Sequence, residues 1–201
     1  TSIYCSGQKF SEEMRRCFFT DSRRGTKKLN GKVIVALLVF PAIFAGAALY
    51  YLQIFSFYEE IVPDGKTDVS ILQKKNELPE VINYSNFRAI SSESSPIRYR
   101  ACFETSEDLD VLRENYLVYE DAVPKIAPYW FDCFDAKELG LALKDRDYGE
   151  VFLSKKNIVY GIDRVVAILA NGNGYVWHEI NECGDKLYDG SPVSNECPEK
   201  D

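Results

Sequence analysis

Two stretches place a cysteine among aromatic and charged residues: SSPIRYRACF at 94–103, with Cys102, and APYWFDCFDA at 127–136, with Cys133. Cys183 and Cys197 follow near the end of the chain, and Cys5 and Cys17 lie far upstream. Several chemistries fit cysteines of this kind. A thiolate nucleophile would need a base, and His178 is the single histidine. A zinc site from these cysteines and His178 would need an unusual ligand spacing. A thioredoxin-like exchange site would need a CxxC pair, and no two cysteines have that spacing. The four downstream cysteines form an even set, which fits a disulfide framework with three connectivities. The two short closures, Cys102–Cys133 and Cys183–Cys197, are the expected pairing, each stabilising by roughly 3 kcal/mol through the restricted unfolded chain. No cofactor and no metal are expected.

His178 sits in YVWHEI, where strand alternation puts it on one face with Val176 and Ile180, and Tyr175, Trp177 and Glu179 on the other. A histidine on an apolar face is ordinarily a satisfied, partly buried side chain. As a functional group it would be a pH switch, or a base paired with Glu182 or Asp185. Arg98 and Arg100, two apart in an alternating stretch, would project from one strand face. They read as a fork for a carboxylate or an anionic headgroup, or as partners of nearby acids. Tyr129, Trp130 and Phe131 read as a core edge beside a helix cap, or as aromatic anchors for a partner. Asn171-Gly172-Asn173-Gly174 is a hairpin turn and not a phosphate loop, because no Lys-Ser/Thr and no helix follow it.

These residues need elements to hold them. SNFRAI (85–90) and IRYRACFE (97–104) read as strands, separated by the polar SSESSP. Thr105 with Asp108 resembles a capping box for a helix reaching Tyr116, with Leu109 and Leu112 inward. YLVYE reads as a strand, the proline-bearing AVPKIAPYW as a loop, and Asp135 as the cap of a second helix, AKELGLALK. EVFLS is a further strand, and RVVAILANGNGYVWHEI a β-hairpin. The expected fold is α+β, an antiparallel sheet with about two helices.

Charge divides the chain. Residues 1–32 carry eight Lys/Arg against three acids, while residues 59–201 carry 16 basic and 28 acidic residues. A domain with that acidic excess repels nucleic acid. Between the two lies VIVALLVFPAIFAGAALYYL, Val33–Leu52, with no charged side chain. A helix of that length matches the hydrocarbon core of a bilayer. Lys32 flanks one edge, and Tyr50, Tyr51, Phe55, Phe57 and Tyr58 form an aromatic belt at the other. The positive-inside rule then puts the N-terminus in the cytoplasm and residues 59 onward outside. Ala45-Gly46-Ala47 would also pass as a signal-cleavage site, but the apolar run continues beyond it, as in an uncleaved anchor.

The expected organisation is a basic arm over 1–29, a transmembrane helix with its belt over 30–58, a connector over 59–82 and a disulfide-bearing domain over 83–201. Residues 1–28 are expected to be a disordered arm or an over-extended gene start, since LNGK at 29–32 would make a natural beginning. Cys5 and Cys17 would stay reduced in the cytosol.

The helix segment NGKVIVALLVFPAIFAGAALYYLQIFSFYEE, the two cysteine stretches, GIDRVVAILANGNGYVWHEIN and the closing Cys197-Pro198 together resemble an uncharacterised family of short, single-span proteins of alphaproteobacteria. The likeness covers about 30–198. It implies a Gram-negative inner membrane, with the domain in the periplasm, and carries no activity or site residue. Members are sometimes labelled histidine kinases. One exported histidine and the lack of a nucleotide-binding glycine box reject that activity for this chain. The expected function is a non-enzymatic accessory or assembly protein of an envelope complex, meeting the lipid bilayer and an envelope protein partner. The alternative is a membrane-anchored, hydrolase-like periplasmic enzyme using His178 and nearby acids.

Overall fold

The structure, a computed structural model, describes residues 30–194 and 197–198. The expected arm over 1–29, with Cys5 and Cys17, lies outside the described residues. The chain divides into two units, Thr1–Ala47 and Ala48–Asp201. Helix α1 (Gly31–Tyr51) begins as Asn30 Oδ1 accepts from the Lys32 amide (3.3 Å) and runs through Pro41. None of its side chains is buried. A π-helical turn, Leu52–Ser56, extends it. The combined segment, Gly31–Ser56, is long and apolar enough to cross a membrane.

The second unit is built on a six-stranded antiparallel sheet. In chain order the strands are β1 (Glu59–Ile61), β2 (Ser70–Leu72), β3 (Pro79–Val81), β4 (Ser85–Ser91), β5 (Arg100–Glu104), β6 (Gly149–Val159), β7 (Ile162–Leu169) and β8 (Asn173–Ile180), with helices α2 (Leu109–Asn115) and α3 (Ala136–Ala142) between β5 and β6. The large sheet has the order β1-β4-β5-β8-β7-β6, and β2 and β3 pair separately. The fold is α+β.

Both faces of the sheet carry a core. Tyr99, Ala101 and Phe103 share one face with Val166, Ile168 and Val176, covered by Val69, Ile71, Ile82 and Leu112. Cys102 and Ile90 share the other with Val165, Ala167 and Trp177, covered by Phe131, Phe134 and Leu139. This double coverage explains why β5, β7 and β8 are buried along nearly their whole length. Asp108 caps α2 and Asp135 caps α3, each through its own carboxylate accepting two amides of the first turn.

Several expectations need correction. The stretch expected as a connector, 59–82, is part of the domain: β1 forms an edge of the large sheet, and Val69 and Ile71 are fully buried in its core. Thr105 does not cap α2. Its hydroxyl oxygen accepts from the Glu107 amide, while Asp108 holds the helix start. YLVYE is not a strand; its backbone pairs with neighbouring segments at the isolated bridges Gln73↔Tyr116 and Val118↔Phe152. Pro96, whose fixed φ and missing N–H suit a first helical position, turns Pro96–Arg98 into a 3₁₀ turn. Arg98 therefore lies outside β5. The β7–β8 reversal falls at 170–172, with Gly172 at φ +86° and close to Thr105 O, where any Cβ would come within 2.7 Å. Gly174 belongs to β8, and the Phe103 ring occupies the space its side chain would need.

Candidate functional site

Between Val118 and α3 the chain is irregular, since Pro124 and Pro128 withhold backbone donors and break any ladder. A segment of this kind must find its partners in side chains. Arg100, on β5, supplies them. It is 4 % exposed, and its guanidinium donates to the carbonyls of Lys125 (Nε, 2.9 Å), Ile126 (Nη2, 3.3 Å), Ile97 (Nη1, 2.8 Å) and Tyr99 (Nη1, 2.6 Å). The guanidinium carbon also lies 5.8 Å from the centroid of the Phe134 ring. Burial pushes the Arg100 pKa down to about 10, against the attraction of Tyr58 and Glu179, so the charge persists at neutral pH.

Glu179, on β8, is the acidic counterpart. Its Oε2 accepts from the Val123 amide (3.1 Å) and from Trp177 Nε1 (3.0 Å), and its Oε1 meets Lys125 Nζ at 2.5 Å. The far end of the segment is fastened by the Cys102–Cys133 disulfide and by buried Phe131 and Phe134. Trp130 Nε1 donates to the carbonyl of Ile54 (2.8 Å), and the Trp130 ring meets Tyr58 edge-on. Over 123–129 the side chains the fastened loop turns outward are apolar: Val123 is 59 %, Ile126 84 % and Tyr129 68 % exposed, with exposed Glu120, Asp121 and Asp132 flanking them.

The expected site residues thus separate. Tyr129 and Trp130 lie on this loop beside the residues that follow α1, whereas Phe131 packs in the core. Arg98 and Arg100 do not form a fork. Arg100 is consumed by backbone carbonyls, and Arg98 sits in the 3₁₀ turn with its guanidinium over the rings of Phe57 (5.7 Å) and Tyr58 (6.0 Å). The described residues give neither arginine an acidic partner across a salt bridge.

His178 lies on the opposite face of β8 from Glu179 and is buried. Arg164 Nε, which can only donate, lies 3.0 Å from His178 Nε2, so that nitrogen accepts. The proton then sits on Nδ1, which donates to the Pro96 carbonyl at 2.5 Å. The ring stacks on Tyr99 at 4.7 Å, and the Arg164 guanidinium covers the same tyrosine. Burial first, and the Arg164 charge second, push the His178 pKa down to about 4, with the Pro96 bond opposing. His178 fastens the turn that carries Arg98. It is not hydrogen-bonded to Glu182 or Asp185; those acids line a groove of about 670 Å³ with Tyr119, Glu120, Asp121 and Glu179. Burial first, and then the charges of Asp163, Glu179, Asp185 and Glu182, push the Tyr119 phenol up to about 12.

Residues 69–198 match the sequence pattern of DUF6446, a family of unknown function. The chain belongs to that family. The match begins at Val69 and leaves α1 outside it. No curated protein and no solved structure matches the chain.

The cysteines of this DUF6446 domain are held in two disulfides, Cys102–Cys133 and Cys183–Cys197, so none of the four is offered as a thiolate or a zinc ligand. Sequence reasoning placed Glu179 beside Trp177 without seeing its role, and missed Arg164 and Lys125, as well as a polar knot below Cys183. There Asp163 accepts from the Asn157 amide (2.8 Å) and from Asn181 Nδ2 (2.7 Å), while Asn181 Oδ1 accepts from the Cys183 amide (3.0 Å). A signal for Glu179 did exist. It shares a strand face with Trp177 and Tyr175, so a cover over that face would bury its charge.

Proposed function

We propose that this is a single-pass inner-membrane protein whose periplasmic domain works as a non-enzymatic interaction module, an accessory or assembly subunit of an envelope complex. The observation that carries this reading is the use made of the buried polar side chains. Arg100 and Glu179 hold the backbone of the 123–126 segment, and His178 holds the 96–98 turn. Buried charges are costly and become favourable only when fully partnered. Here their partners are loop backbone and the side chains around it, and the product is a rigid surface displaying apolar side chains. Rigid display lowers the ordering cost of association. The hydrolase-like alternative draws less support, because both ring nitrogens of His178 are engaged within the fold.

The location rests on three observations. An apolar helix precedes the domain, positive charge precedes the helix, and two disulfides fit an oxidising compartment. The test is photo-crosslinking in native membranes from a reactive residue placed at Val123, with Val111 on α2 as the control. A discrete adduct from 123 that Val111 does not give, and that Glu179→Gln weakens, supports the module. Identical products from both positions, or none from 123, would count against it.

A further inference from the structure

The loop is joined to the end of the candidate span. That span, Gly31–Ser56, includes Ile54 and Phe55. Ile54 offers the carbonyl that Trp130 Nε1 takes, at a helix end where carbonyls otherwise lack partners. Phe55 meets the Tyr129 ring edge-on at 5.9 Å. Loop side chains therefore sit against the last turn of the apolar segment. Arg98 lies over Phe57 and Tyr58, the next two aromatics of the chain, and its turn is bound to the loop through Arg100, which bridges the Ile97 and Ile126 carbonyls. Phe57, Tyr58, Arg98, Ile126 and Tyr129 thus form one surface just beyond the span, with Ile126 and Tyr129 held outward. Aromatic and arginine side chains in that position match the headgroup layer of a bilayer, which takes an apolar body and a polar tip together.

We propose that this surface rests on the phospholipid bilayer that holds α1, with Ile126 and Tyr129 entering the headgroup region and the Arg98 guanidinium on a lipid phosphate. The proposal rests on the membrane-anchor reading. It leaves Val123, on the Glu179 side of the loop, to a protein partner. Net charge does not drive the contact. Glu59 and Glu60 follow Tyr58 directly, and Glu120, Asp121, Glu182 and Asp185 line the groove at the β8 end that carries Ile180. An acidic rim disfavours a strongly anionic surface, so the ligand is the phosphate common to all phospholipids, with apolar insertion supplying most of the attraction.

The test uses the full-length chain in nanodiscs of pure phosphatidylcholine, or of phosphatidylcholine with phosphatidylglycerol, so that lipid is the sole partner. A photoreactive residue is placed in turn at Ile126, Tyr129, Val111 and Phe40, and lipid adducts are counted by mass spectrometry. Burying an isoleucine-sized side chain corresponds to roughly a tenfold shift in population, so adducts at 126 and 129 should exceed those at 111 by about that factor. The yield should be similar in both compositions and fall with Arg98→Gln in both. Adducts at 40 but not at 126 or 129 would overturn the docking surface while leaving the span intact. Adducts at none of the four would overturn the span itself. A yield that appears only with phosphatidylglycerol would overturn the phosphate assignment.

Discussion

The two faces of the large sheet are covered in opposite ways. One face lies under β2 with its flanking residues and under α2, elements that satisfy most of their own backbone, and its apolar core surrounds the buried His178. The other lies partly under α3 but largely under the irregular, proline-bearing segment 119–134, which cannot satisfy itself. That second cover needs a buried arginine, a buried glutamate and a disulfide. A fold that only had to close its core could do so with another short helix or hairpin. The difference is that the second cover takes its shape from buried charge and a disulfide rather than from its own ladder.

This contrast can be broken, and the largest effect should come from Arg100. Arg100→Ala would leave four carbonyls short of a donor and should destabilise the domain by about 3–5 kcal/mol, read as a fall in unfolding midpoint for the protein in nanodiscs. A loss below ~1 kcal/mol would mean the loop does not depend on it. Removing the Cys102–Cys133 bridge by a double alanine substitution should cost about 3 kcal/mol and increase proteolytic cutting near 122–131. The same change at Cys183–Cys197 should leave that cutting unchanged, because its partners are the polar knot and the tail.

The apolar face has its own weak point in His178. Its folded pKa, about 4, lies below the ordinary histidine value of 6.5, so the unfolded chain binds more protons between those values. The contribution of His178 is therefore fully present above about pH 6.5 and is lost as pH falls toward 4. The full shift corresponds to at most about 3 kcal/mol. His178→Gln should flatten the loss of stability between pH 7 and pH 4.5 relative to the parent chain; equal slopes would contradict the neutral, buried assignment. A smaller effect is expected at Gly174→Ala, which would force the Phe103 ring to move and should cost about 1–3 kcal/mol by overpacking.

Much of the frame was legible in the residues. The charge-free run before the domain, the β7–β8 hairpin and the α3 cap at Asp135 all follow from local rules. Both disulfides join the shortest available closures. The site was less legible, for a physical reason. Alternation tells which residues share a strand face, and it put Arg100 with Cys102, and Glu179 with Trp177. It does not tell whether that face meets solvent or a cover. Under an irregular cover, a charge that would be solvated on an open face becomes a fastening for distant backbone. Alternation therefore leaves Arg100 as either a ligand fork or a partner of nearby acids, and places Glu179 beside Trp177 without a role. Pro96 is a readable signal that Arg98 lies outside the strand, because proline favours the first helical position and withholds a ladder donor.

The central claim is that buried charge holds the exposed loop rigid, and the Val123 amide tests it most directly. Hydrogen–deuterium exchange on the full-length protein in nanodiscs should show this amide exchanging slowly, at rates near those of β8, because it donates to Glu179. Glu179→Gln should speed it markedly while leaving β7 amides protected. Fast exchange at Val123 in the parent chain, with β7 and β8 protected, would contradict the account: the loop would then be a mobile cover and not a displayed surface.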